Sequence, residues 1–294
     1  MAGVYLEPRT IDAAVAALTE HGASAKLVAG GTDLVVLARK RHAPLADVLI
    51  AVHRLDEIRG IEAMPDGGLR IGAGTSHAEI ERHPDVLARF TALADGSALV
   101  GSPATRHVGT IGGNLANASP ANETGSPLLV LGASVELASK DAVRVIPLSG
   151  FFEGPGRTAL RPGELITAVT LPGPTGAAGS AYIRLDYRQA MEIAVVGAAA
   201  MVSLDDGGRI AGARLALTAV APTCIEVDGV AEALRGRDPM GVAAPWDDVG
   251  RLAAGAARPI DDVRAPAAYR TAMVPVVVGR AFDLAARRAR GDAA

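Results

Sequence analysis

Two glycine-rich segments hold most of the chemical potential of this 294-residue chain. The first, Ala29-Gly30-Gly31-Thr32-Asp33-Leu34, lies between an apolar strand pattern and a helical one. Adjacent glycines let the backbone approach a ligand with no Cβ in the way, amides at a helix N-terminus point outward, and Thr32 adds a hydroxyl donor, so a phosphate fits. The second, Thr110-Ile111-Gly112-Gly113-Asn114-Leu115-Ala116, is preceded by Arg106 and followed by Asn117, Ser119-Pro120 and Glu123. It again combines glycines with hydroxyl and amide donors, and Glu123 is an acceptor suited to ribose hydroxyls. Two such turns, about 80 residues apart, could grip the two phosphates of one pyrophosphate, which makes a nucleotide-containing cofactor the natural guest. Each segment also has a plainer reading. Gly-Gly in a strand-to-helix turn often serves close packing alone, and the second segment also suits an irregular surface loop stiffened by prolines.

Other chemistries lack their residues. There is no G-x-x-x-x-G-K-[ST] phosphate loop and no G-x-S-x-G nucleophile turn. Gly72-Ala73-Gly74-Thr75-Ser76-His77 begins like a dinucleotide fingerprint but has no third glycine, so a Rossmann site is unsupported. The histidines (His21, His42, His53, His77, His83, His107) never fall at the i, i+4 spacing that puts two imidazoles on one helical face. His107 lies inside the second glycine-rich region, where a solvated or backbone-bonded role outweighs a catalytic one. A single cysteine, Cys224, excludes an intrachain disulfide, a Cys-based zinc site and an iron–sulfur cluster held by thiolates of this chain. If electrons arrive from such a cluster, another polypeptide carries it.

Hydrophobic residues at 49% and charged residues at 21% describe a soluble globular protein, and a formal charge of −3 is too near neutral for a nucleic-acid or anionic-membrane surface. The longest nearly apolar run, Ile193 to Leu204, is too short for a membrane span, and the N-terminus has no basic stretch followed by an apolar one; a cytoplasmic location is expected. Aromatics at 3% leave the core to small aliphatic side chains that pack elements closely.

The elements that must position the glycine segments can be read in outline. Thr10 caps a helix over Ile11 to Glu20 that Gly22 stops; Lys26 to Ala29 is a strand, Asp33 to Arg41 a helix and Val48 to Val52 a strand. A hairpin spans Ile61 to Ile71 around Pro65-Asp66-Gly67-Gly68, and helices follow over His77 to Arg82 and, as one longer element, Asp85 to Leu99. Gly101 to Asn122 reads as a long irregular connection, of the kind that usually binds something. Ser134 to Ser139 and Val143 to Pro147 form a hairpin across Lys140-Asp141, and Glu164 to Leu171 is a strand. Pro172 to Gly176, followed by the small residues Ala177 to Ser180, is the best boundary. Beyond it come strands Ala194 to Leu204 and Arg209 to Val220 across Asp205-Asp206-Gly207-Gly208, then helices at Val227 to Leu234, Trp246 to Gly255 and Ala267 to Ala289. Strands grouped before helices point to an α+β layer. Arg287, Arg288 and Arg290 at the end of the last helix complement its C-terminal dipole.

Taken together, Ala29 to Leu34 and Gly109 to Ala116, with Ala118-Ser119-Pro120, resemble the FAD-binding medium subunit of the molybdenum hydroxylases, the family of xanthine dehydrogenase and aerobic carbon monoxide dehydrogenase. The similarity runs on through Phe151-Phe152, Glu164-Leu165-Ile166 and Tyr182 to Ala194, and so covers essentially the whole chain.

The resemblance implies an α+β fold: a bipartite FAD-binding domain of the type shared with the vanillyl-alcohol oxidase/p-cresol methylhydroxylase superfamily over residues 1–175, with lobes of about 1–57 and 58–175, and a C-terminal α+β domain over 177–290. It implies FAD held without a covalent link, with the pyrophosphate on Ala29, Gly30, Gly31, Thr32, Asp33 and Leu34 and on Thr110, Ile111, Gly112, Gly113 and Asn114, and with Ser119 beside them. Glu123, where the family more often has Asp, matches a position associated with the adenosine half. Ile166 and Arg184 match positions near the isoalloxazine; Arg184 is Lys in xanthine dehydrogenase and keeps the positive charge that favours a reduced, anionic flavin. Arg188, Met191 and Glu192-Ile193-Ala194 match an Arg and acidic-Ile-Ala pattern that either a domain-joining ion pair or catalysis explains. The molybdenum cofactor and 2Fe–2S clusters are then expected on a large and a small partner subunit, in a dimer of heterotrimers, with NAD or a quinone as acceptor. Cys224 alone argues against the branch that reduces hydroxybenzoyl thioesters, whose subunit needs several cysteines. Two other readings stay open: a stand-alone flavin oxidase, for which no Tyr, His or Glu cluster is evident, and a non-redox assembly subunit without cofactor.

Overall fold

Short strands that bury one face need a partner layer, and the chain supplies one for each of its three larger sheets, a fourth being the two-stranded ribbon of Phe152–Gly154 and Arg157–Thr158. The computed structural model describes residues 3–39, 45–188, 190–240 and 246–292. The first sheet is parallel, with Val48–Ala51 flanked by Val4–Leu6 and Ala25–Val28. The helix Ile11–His21 makes the crossover that a parallel pair demands. Thr10 caps it by accepting the Ala13 amide at 3.2 Å, and Gly22, at φ +49°, ends it. Ala14 and Val15 bury against Ile50, Leu55 and Ile58. The next helix is Thr32–Arg39; residues 40 and 41, which also read as helical, lie outside the described residues.

The second sheet is antiparallel, in the order Ile61–Ala63, Leu69–Gly72, Leu165–Leu171, Ser134–Ala138, Val143–Pro147. Both expected hairpins form, the first around Gly67 at φ +79°. The single helix expected from Asp85 to Leu99 is instead two, Pro84–Arg89 and Thr91–Leu99, because Phe90 leaves helical geometry (ψ +45°) to bury its ring. The region expected to be irregular, Gly101 to Asn122, contains helices Pro103–Val108 and Ile111–Asn117. Its serine and threonine are N-caps: Ser102 accepts the Thr105 amide and Thr110 the Gly113 amide. Polarity there reflects capping of two short helices.

Between Leu171 and Ala177 the chain passes to the third sheet, Ala177–Leu185, Val196–Leu204, Ile210–Thr218 and Ile225–Glu226, antiparallel throughout. The small residues expected to mark a boundary are the start of this sheet's first strand. Smallness has a packing cause: a Cβ at Gly179 would overlap the backbone of Ala285 and Ala289 in the helix Ala267–Ala289. That helix crosses the sheet with Val274, Val277, Phe282 and Ala285 buried, and Trp246 stacks on Phe282 with centroids 4.9 Å apart. Arg288, in the last turn of that helix as expected of a helix-dipole complement, also joins the two halves of the molecule, pairing with Asp95 at 2.6 Å and donating to the Ser180 carbonyl at 2.8 Å.

Candidate functional site

The first glycine segment leaves the parallel strand Ala25–Val28 and enters the helix Thr32–Arg39. Gly31 makes the turn at φ +69°, a conformation that costs an L side chain about 1 kcal/mol or more. Gly30 has another reason to be bare: a Cβ there would overlap the Val108 carbonyl, at the doorstep of the second segment. A Cβ built at Gly109 would sit 3.9 Å from the Thr32 hydroxyl, and one at Gly113 3.9 Å from the Ala29 Cβ. The two segments, remote in sequence, are therefore in contact.

Their backbones differ in what they offer. Among the described residues, the amides of Gly30, Gly31, Thr32, Asp33 and Leu34 meet no acceptor in the protein. In the second segment nearly all amides are taken: Ile111 donates to Thr75 at 3.1 Å, Gly112 to Ala73 at 2.8 Å, Gly113 to the Thr110 hydroxyl at 3.1 Å and Asn114 to the Thr110 carbonyl at 2.9 Å. Gly112 is bare because a Cβ would press on Ala73 at 2.6 Å, where the helix packs on the turn that follows the strand Leu69–Gly72. The first segment is thus a row of free donors, and the second is a wall carrying the Thr110 hydroxyl and the Asn114 amide nitrogen. Free amides beside a turn with no Cβ are what a diphosphate requires, so the residues present fit FAD's pyrophosphate.

The remaining expected site residues are farther into the protein. Asn114 accepts from the Thr124 hydroxyl at 2.7 Å, and Ser119 accepts the Ala121 amide at 3.2 Å. Ile166 is buried in the central strand of the second sheet, beside a register shift before Ala168. Glu123 is buried with both oxygens taken, one by the Tyr182 hydroxyl at 2.6 Å and one by Arg184 at 2.8 Å. Burial pushes the Glu123 carboxyl up against the opposing pull of the Arg184 charge, and pushes the Tyr182 phenol well up. Arg184 also donates to Asp186 at 2.7 Å and to the Leu99 carbonyl at 3.0 Å. Glu123–Arg184 therefore joins the domains, as Asp95–Arg288 does, while Arg188–Glu192, at 3.0 Å, closes within one loop where Met191 takes φ +54°.

Two residues that sequence reasoning passed over stand next to the segments. His77 is 1% exposed, donates its backbone amide to Gly109 at 3.1 Å, and leaves Nδ1 without a partner. Burial, helped by the nearby Arg106 charge, pulls its pKa down to about 4, so the imidazole is neutral. Asn122, also 1% exposed, donates to the Asn114 carbonyl at 3.1 Å and accepts the Thr124 and Gly125 amides, each at 2.9 Å. Neither carries a sequence signal, since one lies in a short helix and the other in a turn. His107 is exposed, with Nδ1 2.7 Å from the Pro103 carbonyl. Cys224 is buried beside the Asn122 carbonyl at 3.6 Å, and burial pushes its thiol up to about 12, which makes it inert. No cluster of metal-ligating side chains occurs among the described residues, and no helix there is long and apolar enough to cross a membrane.

The model of the FAD binding domain in molybdopterin dehydrogenase matches residues 1–174, and that of the CO dehydrogenase flavoprotein C-terminal domain matches residues 181–285. The chain is 32% identical over 287 residues to the carbon monoxide dehydrogenase medium chain of Afipia carboxidovorans, covering 97% of each. It is 36% identical over 202 residues to the putative xanthine dehydrogenase FAD-binding subunit XdhB of Escherichia coli, covering 68% of each. Its fold superposes with a TM-score of 0.92, at 31% identity and 98% coverage of both chains, on a chain of carbon monoxide dehydrogenase from Hydrogenophaga pseudoflava that lacks the Mo-pyranopterin moiety of the molybdenum cofactor.

Proposed function

The chain belongs to the family of FAD-binding domains found in molybdopterin dehydrogenases, and from that premise we propose that it is the FAD-binding electron-transfer subunit of a molybdenum hydroxylase complex. Residues 1–175, in two lobes of about 1–57 and 58–175, form the cofactor domain and 177–290 the C-terminal domain. The amides of Gly30 to Leu34 would hold the pyrophosphate, with Thr110 and Asn114 donating from the facing wall and Gly113 keeping the approach between the segments free of a side chain. Ser119 would lie beside the pyrophosphate residues, and Ile166 of the cofactor domain and Arg184 of the C-terminal domain near the isoalloxazine. Bound there without a covalent link, FAD would supply redox chemistry, relaying electrons from a partner's 2Fe–2S clusters to NAD or a quinone. No side chain of this protein acts as nucleophile or general base toward an organic substrate. The molybdenum cofactor belongs to a large partner and the clusters to a small one, arranged as a dimer of heterotrimers in the cytoplasm.

The observation that carries this reading is the meeting of the two glycine segments, the first of which bears a row of unclaimed amides. Purification of the chain with its partners from the native host, followed by metal and flavin analysis, tests it. Molybdenum, iron and FAD in one complex are expected. A chain that purifies alone and whose flavin is reduced directly by a small organic substrate would be an oxidase and would overturn the reading.

A further inference from the structure

The segment 122–124 faces two ways. Asn122 and Thr124 turn toward the second glycine segment: Asn122 donates to the Asn114 carbonyl at 3.1 Å and Thr124 to the Asn114 side chain at 2.7 Å. Glu123, between them, turns away into the C-terminal domain, where Tyr182 donates at 2.6 Å and Arg184 at 2.8 Å, both from the strand Ala177–Leu185. The same domain takes hold of the flanking backbone and side chains. Ala219 donates to the Pro120 carbonyl at 2.8 Å, and the Ser126 and Thr218 hydroxyls lie 2.6 Å apart. Asn114 is the last residue of the expected diphosphate wall, so its placement is set by a clamp whose other jaw is the C-terminal sheet.

We propose that Glu123 is a positioning residue: gripped by Tyr182 and Arg184, it fixes the register of the second glycine segment, so that the C-terminal domain sets the affinity of the cofactor domain for FAD. Three geometric facts support this assignment over direct contact with the adenosine. Both carboxylate oxygens are already partnered, the residue is buried, and its neighbours on either side are the ones that reach the glycine segment. A carboxylate one methylene shorter would not span the 2.6 Å and 2.8 Å bonds to both donors without movement of the chain.

The inference rests on the FAD reading, and its test separates the two. Apoprotein of the 294-residue chain is titrated with FAD, following quenching of flavin fluorescence and the visible circular dichroism of the bound flavin, for the wild type, Tyr182→Phe, Glu123→Gln and the double variant; melting temperatures of the apoproteins are measured alongside. Tyr182→Phe and Glu123→Gln are each expected to raise the Kd for FAD about tenfold and to alter the flavin dichroism, with the double variant no worse than either alone. Thr124→Val, which cuts the link to Asn114 from the other side, is expected to do the same and serves if Glu123→Gln fails to fold. A Kd for Tyr182→Phe within twofold of wild type, whether or not its melting temperature falls, overturns the clamp. If Glu123→Gln alone weakens binding, Glu123 contacts the cofactor directly and the clamp is again overturned. A wild type that takes up no FAD removes the cofactor reading and the clamp with it.

Discussion

Bareness at the glycine segments has a different cause at each position, and the causes predict different failures. Gly31 is required by its positive φ, Gly30 by the Val108 carbonyl and Gly112 by Ala73, while a Cβ at Gly113 would stand 3.1 Å from the Thr110 hydroxyl and 3.9 Å from the Ala29 Cβ, between the two segments. Gly30→Ala is expected to force the two segments apart, an overpacking cost of about 1–3 kcal/mol, and to abolish FAD retention on gel filtration. Gly113→Val crowds the capping Thr110 hydroxyl and fills the gap toward Ala29, so FAD retention is expected to be lost and urea unfolding of the apoprotein to fall by about 1–3 kcal/mol. His77 gives a pH signature. Its pKa in the folded chain, about 4, lies below the ordinary 6.5, so the unfolded chain binds the extra proton first. Stability is complete above about pH 6.5 and falls as the pH drops toward 4, by up to roughly 3 kcal/mol over that span. A His77→Gln variant is expected to flatten that part of the pH–stability curve measured by urea unfolding.

At the scale of elements, the sequence exposes what local periodicity encodes and hides what tertiary contact decides. The Thr10-capped helix, both hairpins and the long helix Ala267–Ala289 follow from caps, turn glycines and apolar spacing. The strand Ala177–Leu185 was hidden because its first residues are small and follow a Pro-Gly-rich stretch, and their smallness answers a helix about 110 residues later in the chain. The Gly101 to Asn122 region read as irregular because its helices are too short to show a period, although their serine and threonine caps were visible. Of the site, the glycine segments were legible and their mutual contact was not, since nothing local in either pattern encodes the Gly30–Val108 approach. The clamp residues Asn122 and Thr124 belong to turns with no pattern at all. Close strand-to-helix packing makes Gly179→Ala a test at this scale: the added methyl meets the Ala285 and Ala289 backbone, and a loss of about 1–3 kcal/mol in urea unfolding is expected.

At the scale of the molecule, the first glycine segment continues a strand of the parallel sheet, the second packs on Ala73 at the end of a strand of the five-stranded sheet, and the C-terminal domain braces the second through polar contacts as well as apolar ones. Arg288 and Asp95 are both less than a quarter exposed, and their bonds of 2.6 Å and 3.0 Å tie the last helix to Thr91–Leu99. Arg288→Met is expected to cost about 1–3 kcal/mol in global unfolding, because Asp95 is left partly buried without its partner. The most direct test incubates the purified chain with FAD, removes free flavin by gel filtration, and measures flavin released by acid precipitation. The account predicts equimolar FAD, released intact, together with a flavin spectrum before release. A chain that emerges colourless, or whose flavin stays with the acid-precipitated protein, would contradict it.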